Sequence, residues 1–251
     1  MKTYTKIFKM ALIMLAFSSE SYAAIALDRT RAIINEGDKS ISLTIENKNE
    51  KLPYLAQAWL EDVDGKKVAS PFTILPPIQR LEANSTSQLK IQALPAVSLL
   101  PSDRESVYYF NIREIPPKSK KANVLQIALQ SKIKLFYRPK SIIVTKSDLD
   151  NPWQNSVTVS LVDGKYKVNN PSPYHLTIAK LYKDENAKSP FDIEPLMVSP
   201  KSSAFIKVNS NVIGNTFYLS YINDYGGKPL LKFTCAGTIC SGEPVKKGKG
   251  K

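Results

Sequence analysis

The sequence predicts an all-β chain built as two antiparallel β-sandwiches. Three observations carry that prediction. Apolar and polar residues alternate with period two through most of the chain. No segment sustains a convincing long helical period of 3.6 residues. The alternating segments also fall into two sets on either side of Arg138-Pro139, at the strand density of immunoglobulin-like sandwiches. With 251 residues, the chain has room for two domains of about 100 residues each. Hydrophobic residues at 43% and charged residues at 23% exclude a disordered or fibrous protein.

The first set alternates at residues 40–46 (SISLTIE), 54–60 (YLAQAWL) and 87–92 (SQLKIQ). It continues at 107–113 (VYYFNIR) and through the long run 124–137. Turn formers lie between these segments, among them Asp64-Gly65 and Pro116-Pro117. Pro76-Pro77 is a place where a cis bond would suit a tight bend. The second set comprises 156–162 (SVTVSLV), 165–168 (KYKV), 175–178 (HLTI), 204–208 (AFIKV) and 216–222 (TFYLSYI). A turn at 225–229 (YGGKP) then feeds 230–235 (LLKFTC). The linker is expected at 140–151, which gives domains at 24–142 and 143–245. Residues 246–251 (KKGKGK) read as a solvated, mobile tail.

The start of the chain has a different character. Basic residues Lys2, Lys6 and Lys9 precede an apolar run at 10–17, and small residues follow. These are the three parts of a secretory signal, and Ser21 and Ala23 suit the −3 and −1 positions, so cleavage is expected after Ala23. A membrane-spanning helix needs about 20 apolar residues; this run is far shorter, so membrane insertion is not expected. Cleavage removes three lysines and Glu20, which lowers the formal net charge of +13 by two. Such basicity suits nucleic acid, anionic lipid or an acidic protein partner. Export argues against nucleic acid.

The chain has one histidine and two cysteines. That excludes most zinc sites and leaves no acid, base and nucleophile set for catalysis. No cofactor and no metal site are expected. His175 reads as a loop or strand-end residue, and Trp59 and Trp153 as core or interface packing. Cys235 and Cys240, with four residues between them in an exported chain, read as a disulfide staple at a hairpin. A redox pair would have two intervening residues and a helix start.

Several blocks together resemble the periplasmic pilus chaperones. They are 24–31 (AIALDRTR), 52–59 (LPYLAQAW), 76–82 (PPIQRLE), 103–117 (DRESVYYFNIREIPP), 121–130 (KANVLQIALQ), 132–139 (KIKLFYRP) and 218–227 (YLSYINDYGG), with the cysteine pair. The resemblance implies a boomerang of two immunoglobulin-like domains that binds, folds and caps pilus subunits in the periplasm. It implies donor-strand complementation, in which the chaperone lends a strand to a subunit's open groove, and delivery to an outer-membrane usher.

The resemblance also assigns residues. Arg31 and Lys134 would anchor the subunit's C-terminal carboxylate, as two cations can. Leu125, Ile127 and Leu129 would enter the groove. Pattern logic alone says otherwise, placing those three in the chain's own core with Gln126 and Gln130 toward water. Glu105, Arg138 and Asp224 would tie the domains together. The short segment between Ile115 and Asn123 is similar to that of chaperones serving rod-like pili with adhesive tips. The competing class is an exported carbohydrate- or surface-binding module of the same fold.

Overall fold

The structure, a computed structural model, describes residues 24–119, 123–145, 152–186, 189–209 and 213–245. The expected leader and tail, and parts of the linker and of the segment after Ile115, lie outside these residues.

The first ten strands are β1 (Ile25–Leu27), β2 (Arg31–Asn35), β3 (Ser40–Asn47), β4 (Tyr54–Glu61), β5 (Lys67–Val68), β6 (Phe72–Leu75), β7 (Ile78–Leu81), β8 (Thr86–Ala93), β9 (Ser106–Ile115) and β10 (Gln130–Arg138). They make two sheets. One has the order β1-β3-β8-β6, and the other β2-β10-β9-β4-β5, with β7 also on β4. Period-two alternation turns Leu43, Ile45, Leu60, Leu89 and Ile91 inward to a shared core with Phe72 and Phe110. Burying each such side chain contributes about 1.5–3 kcal/mol. All pairings in these sheets are antiparallel except β2 on β10, which is parallel.

The remaining strands are β11 (Thr158–Val162), β12 (Lys165–Asn170), β13 (Leu176–Tyr182), β14 (Leu196–Val198), β15 (Ser202–Asn209), β16 (Thr216–Tyr221), β17 (Leu230–Ala236) and β18 (Ile239–Pro244). They form one hydrogen-bonded path, β14-β13-β16-β17-β18-β11-β12-β15. Its two ends lie against each other, so the sheet curls around a separate core that includes Val168, Leu181, Phe217 and Phe233. Asp163 and Gly164 both have positive φ, 50° and 71°, the two-residue turn that matches strand twist in a hairpin. Cys235 and Cys240 face each other across the β17–β18 hairpin and are joined.

Strands with clear alternation were legible. The short ones, such as β5, β7 and β14, carry too few residues to show a period. At the expected Pro76-Pro77 bend, the cis bond precedes Pro76, and another joins Ser70 to Pro71.

The long run at 124–137 requires correction. Only Gln130–Arg138 joins a ladder, and residues 124–129 lie outside it. The reason lies in the partner strand: β9 ends at Ile115 and is followed by Pro116 and Pro117, which carry no N–H to continue the pairing.

Candidate functional site

Parallel pairing of β2 with β10 sets Lys134 opposite Arg31, so the two cations stand side by side on one face of the sheet. Arg31 is 9% exposed. Its Nη1 donates to the Ile222 carbonyl at 3.2 Å, and its guanidinium lies 5.8 Å from the Phe136 ring centre. Its Nε is buried without a partner. Burial pulls Arg31 below its ordinary pKa, with Arg138 adding repulsion, against the attraction of Asp224 and Glu105. Lys134 Nζ donates to Thr177 Oγ1 at 2.9 Å. Burial first, and Arg31 second, push its pKa down to about 8.

Among the described residues, neither cation has a carboxylate within ion-pairing distance. Two desolvated cations and an unsatisfied N–H are an arrangement that an incoming anion relieves. A cavity of about 490 Å³ adjoins Arg31, lined by Thr30, Ile33, Asp224, Tyr225 and Gly226.

The second domain closes this cleft. Gly226 has φ +79°, and a Cβ there would lie 2.7 Å from Thr30 Oγ1, so only glycine allows the loop so near. Asn223 Oδ1 accepts the N–H groups of Tyr225 and Gly227, which shapes the loop that presents Asp224. Arg138 then spans the domains. Its Nε donates to Glu105 Oε1 at 2.7 Å, and its Nη1 and Nη2 fork onto Asp224 at 2.7 and 2.9 Å. Burial works against the Arg138 charge, but Asp224 and Glu105 outweigh it and raise its pKa.

His175 belongs to the same network, which the sequence reading missed. Its backbone N–H donates to Glu105 Oε2 at 2.8 Å, and its Nδ1 lies 3.1 Å from that oxygen. It sits at a strand end, as expected, yet its side chain is only 6% exposed. Thr177 was also missed. Both follow a turn in the second domain, and no local motif marks their approach to residues far away in the chain. Trp153 packs against the core of the second domain, stacked on Tyr174 at 5.2 Å. Trp59 is not in the core: its ring lies on the outer sheet face, 4.5 Å from Lys67 Nζ and 5.7 Å from Arg113.

Below the cleft, β10 is paired on both sides only over residues 134–137. Its outer edge is open at 130–133, and residues 124–129 extend that edge. Leu125, Ile127 and Leu129 are 85%, 67% and 44% exposed. The expectation that this face belongs to the chain's own core is overturned, because the core of the first domain is closed by other strands.

Two β domains, a cationic cleft between them and an exposed apolar series beside it define a class of two-domain β proteins with an open edge. The chain belongs to the pili assembly chaperone family: residues 24–143 match the PapD N-terminal domain of pili and flagellar-assembly chaperones, and 152–232 match the PapD C-terminal domain. It is 48% identical to the chaperone protein PapD of Escherichia coli, over 96% of this chain and 97% of that one. It is 44% identical to the probable fimbrial chaperone YfcS of Escherichia coli K12, over 96% and 94%. A chain in the solved complex of the Salmonella enterica SafA pilin with the SafB chaperone superimposes with a TM-score of 0.70 at 26% identity, covering 86% of this chain and 99% of that one.

Proposed function

We propose that the chain is a periplasmic chaperone that folds and caps pilus subunits and passes them to an outer-membrane usher. The observation that carries this reading is the exposed Leu125, Ile127 and Leu129 series on an open strand edge that leads to Arg31 and Lys134. The subunit's C-terminal carboxylate docks between the two cations. Its edge strands take up the outward-facing backbone groups along residues 124–133 that β9 leaves free, and the three apolar side chains fill its groove. An uncovered apolar edge invites aggregation, so its retention fits a partner that covers it. The SafB relative, solved with a pilin, supports the same partner class here. Glu105, Arg138 and Asp224 hold the domains, at 24–142 and 143–245, in the arrangement that makes the cleft. The chain reaches the periplasm by cleavage after Ala23 and works without a cofactor or catalytic step.

The test is co-expression of candidate pilins with the chaperone, followed by pull-down from the periplasm for wild type, Arg31→Ala and Lys134→Ala. A one-to-one complex that is lost in both folded variants supports the anchored mechanism. Binding indifferent to both changes removes the anchor. If wild type holds no pilin where another chaperone does, the reading fails and the surface-binding module takes its place.

A further inference from the structure

Glu114 is a buried carboxylate that the cleft does not use. It lies near the end of β9, 6% exposed. Its Oε2 accepts the backbone N–H of Ile25 at 3.0 Å, and its Oε1 accepts that of Leu129 at 3.3 Å. Its own backbone N–H donates to the Leu129 carbonyl at 3.0 Å. One side chain therefore ties the N-terminal strand β1 to the root of the open 124–129 segment. Among the described residues, no lysine or arginine lies within ion-pairing distance of it. A buried carboxylate held only by neutral donors is costly, and buried charges are ordinarily paired.

The missing cation is one residue away in the chain. Cleavage after Ala23 turns the Ala24 nitrogen into an α-ammonium. Consecutive backbone nitrogens are separated by at most about 3.7 Å, and the Ile25 nitrogen already touches Oε2. The new charge therefore falls within about 7 Å of Oε2 for any backbone angle at Ala24. Ala24 is itself buried, and its carbonyl accepts the Lys48 N–H at 2.7 Å, which holds the terminus in place. In the uncleaved chain the same nitrogen is a neutral amide.

We propose that Glu114 is a positioning residue that pairs with the α-ammonium created at Ala24 and thereby fixes the root of the donor segment at Leu129. The proposal rests on the cleavage and donor-strand readings above. Its consequence is phase. Side chains along an extended segment alternate between faces, so a one-residue slip at Leu129 turns Leu125 and Ile127 away from the partner. Bonding both the N–H and the carbonyl of Leu129 to Glu114 prevents that slip. Signal-peptide removal then does more than release the chain, because it supplies the charge that sets the donor face.

The test begins with intact mass of periplasmic protein, which establishes whether Ala24 is the N-terminus. The Ala24 α-amine is then titrated by NMR in wild type and in Glu114→Gln. It is expected to titrate above the ordinary α-amine range of about 7.7–8.0 and to return to that range in E114Q. Amide exchange at Leu129 is expected to speed up roughly tenfold in E114Q, with Phe110 and Leu135 unchanged. A second variant adds one glycine before Ala24, which keeps Glu114 and moves the charge. It is expected to reproduce both effects.

An α-amine in the ordinary range, or Leu129 exchange indifferent to both variants, overturns the proposal. A mass that places the terminus elsewhere overturns it through the cleavage reading. If pilin binding fails in wild type while the amine is raised and Leu129 is protected, the donor-strand reading falls and the clamp stands.

Discussion

Lys134 faces Arg31 across a parallel ladder, and each is steadied by the second domain, Lys134 by Thr177 Oγ1 and Arg31 by the Ile222 carbonyl. The cleft is therefore a joint product of both domains although both cations come from the first. Its charge is costly to keep buried, and that cost makes it receptive to an anion.

The cost is measurable as a pH dependence. Lys134 has a folded pKa of about 8 against an ordinary 10.5, so the unfolded chain binds the extra proton between those values and stability rises with pH there. Below about pH 8 the penalty is fully present. Lys134→Met is expected to stabilise the free protein by about 1 kcal/mol at pH 7 and to flatten this rise. Urea unfolding between pH 7 and 10.5 checks both.

Binding has the opposite sign. A carboxylate partner needs the protonated lysine, so affinity for a pilin C-terminal peptide is expected to fall as pH rises through 8. Lys134→Arg keeps its charge throughout this range, and any binding it retains should be flat. Calorimetry with the free-acid peptide and its C-terminal amide separates the anchor from other contacts, since the amide is expected to bind weakly at every pH.

Removing Arg138 leaves Glu105 and part of Asp224 as buried, uncompensated charge. Arg138→Ala is expected to cost about 3–5 kcal/mol and to split thermal unfolding into two transitions as the domains uncouple. The triple change Arg138→Met, Glu105→Gln, Asp224→Asn is expected to cost less than the single one. Calorimetric scans decide it.

The exposed series separates stability from binding. Leu125→Asp and Ile127→Asp are expected to change unfolding stability by no more than about 0.5 kcal/mol while pilin capture is lost. Leu89→Ala, fully buried on β8, is expected to cost about 2–5 kcal/mol. Similar losses at all three positions would place the series in a core.

Opening the Cys235–Cys240 staple by a double change to serine is expected to cost about 2 kcal/mol, given its short loop. The loss should appear only in the unfolding of the second domain.

Strand content and the two-set organisation were legible because they are local properties. Residues 40–46 and 87–92 alternate plainly, and the folded chain buries their apolar halves. The same rule failed at 124–129, where the alternation is as clear but the face is open. Periodicity reports that a segment has two faces; it does not say whether the chain has anything left to cover the apolar one. Pro116 and Pro117 stop β9 and so decide that residues 124–129 leave the ladder.

The clefts and clamps depend on neighbours far apart in the chain. Arg31 and Lys134 stand 103 positions apart and meet through a parallel register, and a one-residue slip in that register would separate them. His175 and Thr177 carry no local mark of their approach to Glu105 and Lys134, because hydrogen bonds between domains leave no period in either strand. Residue identity thus set which segments could be strands and which side chains could carry charge. Packing set which charges are desolvated together and which apolar face stays uncovered, because burial is a property of the folded surface and not of any segment within it.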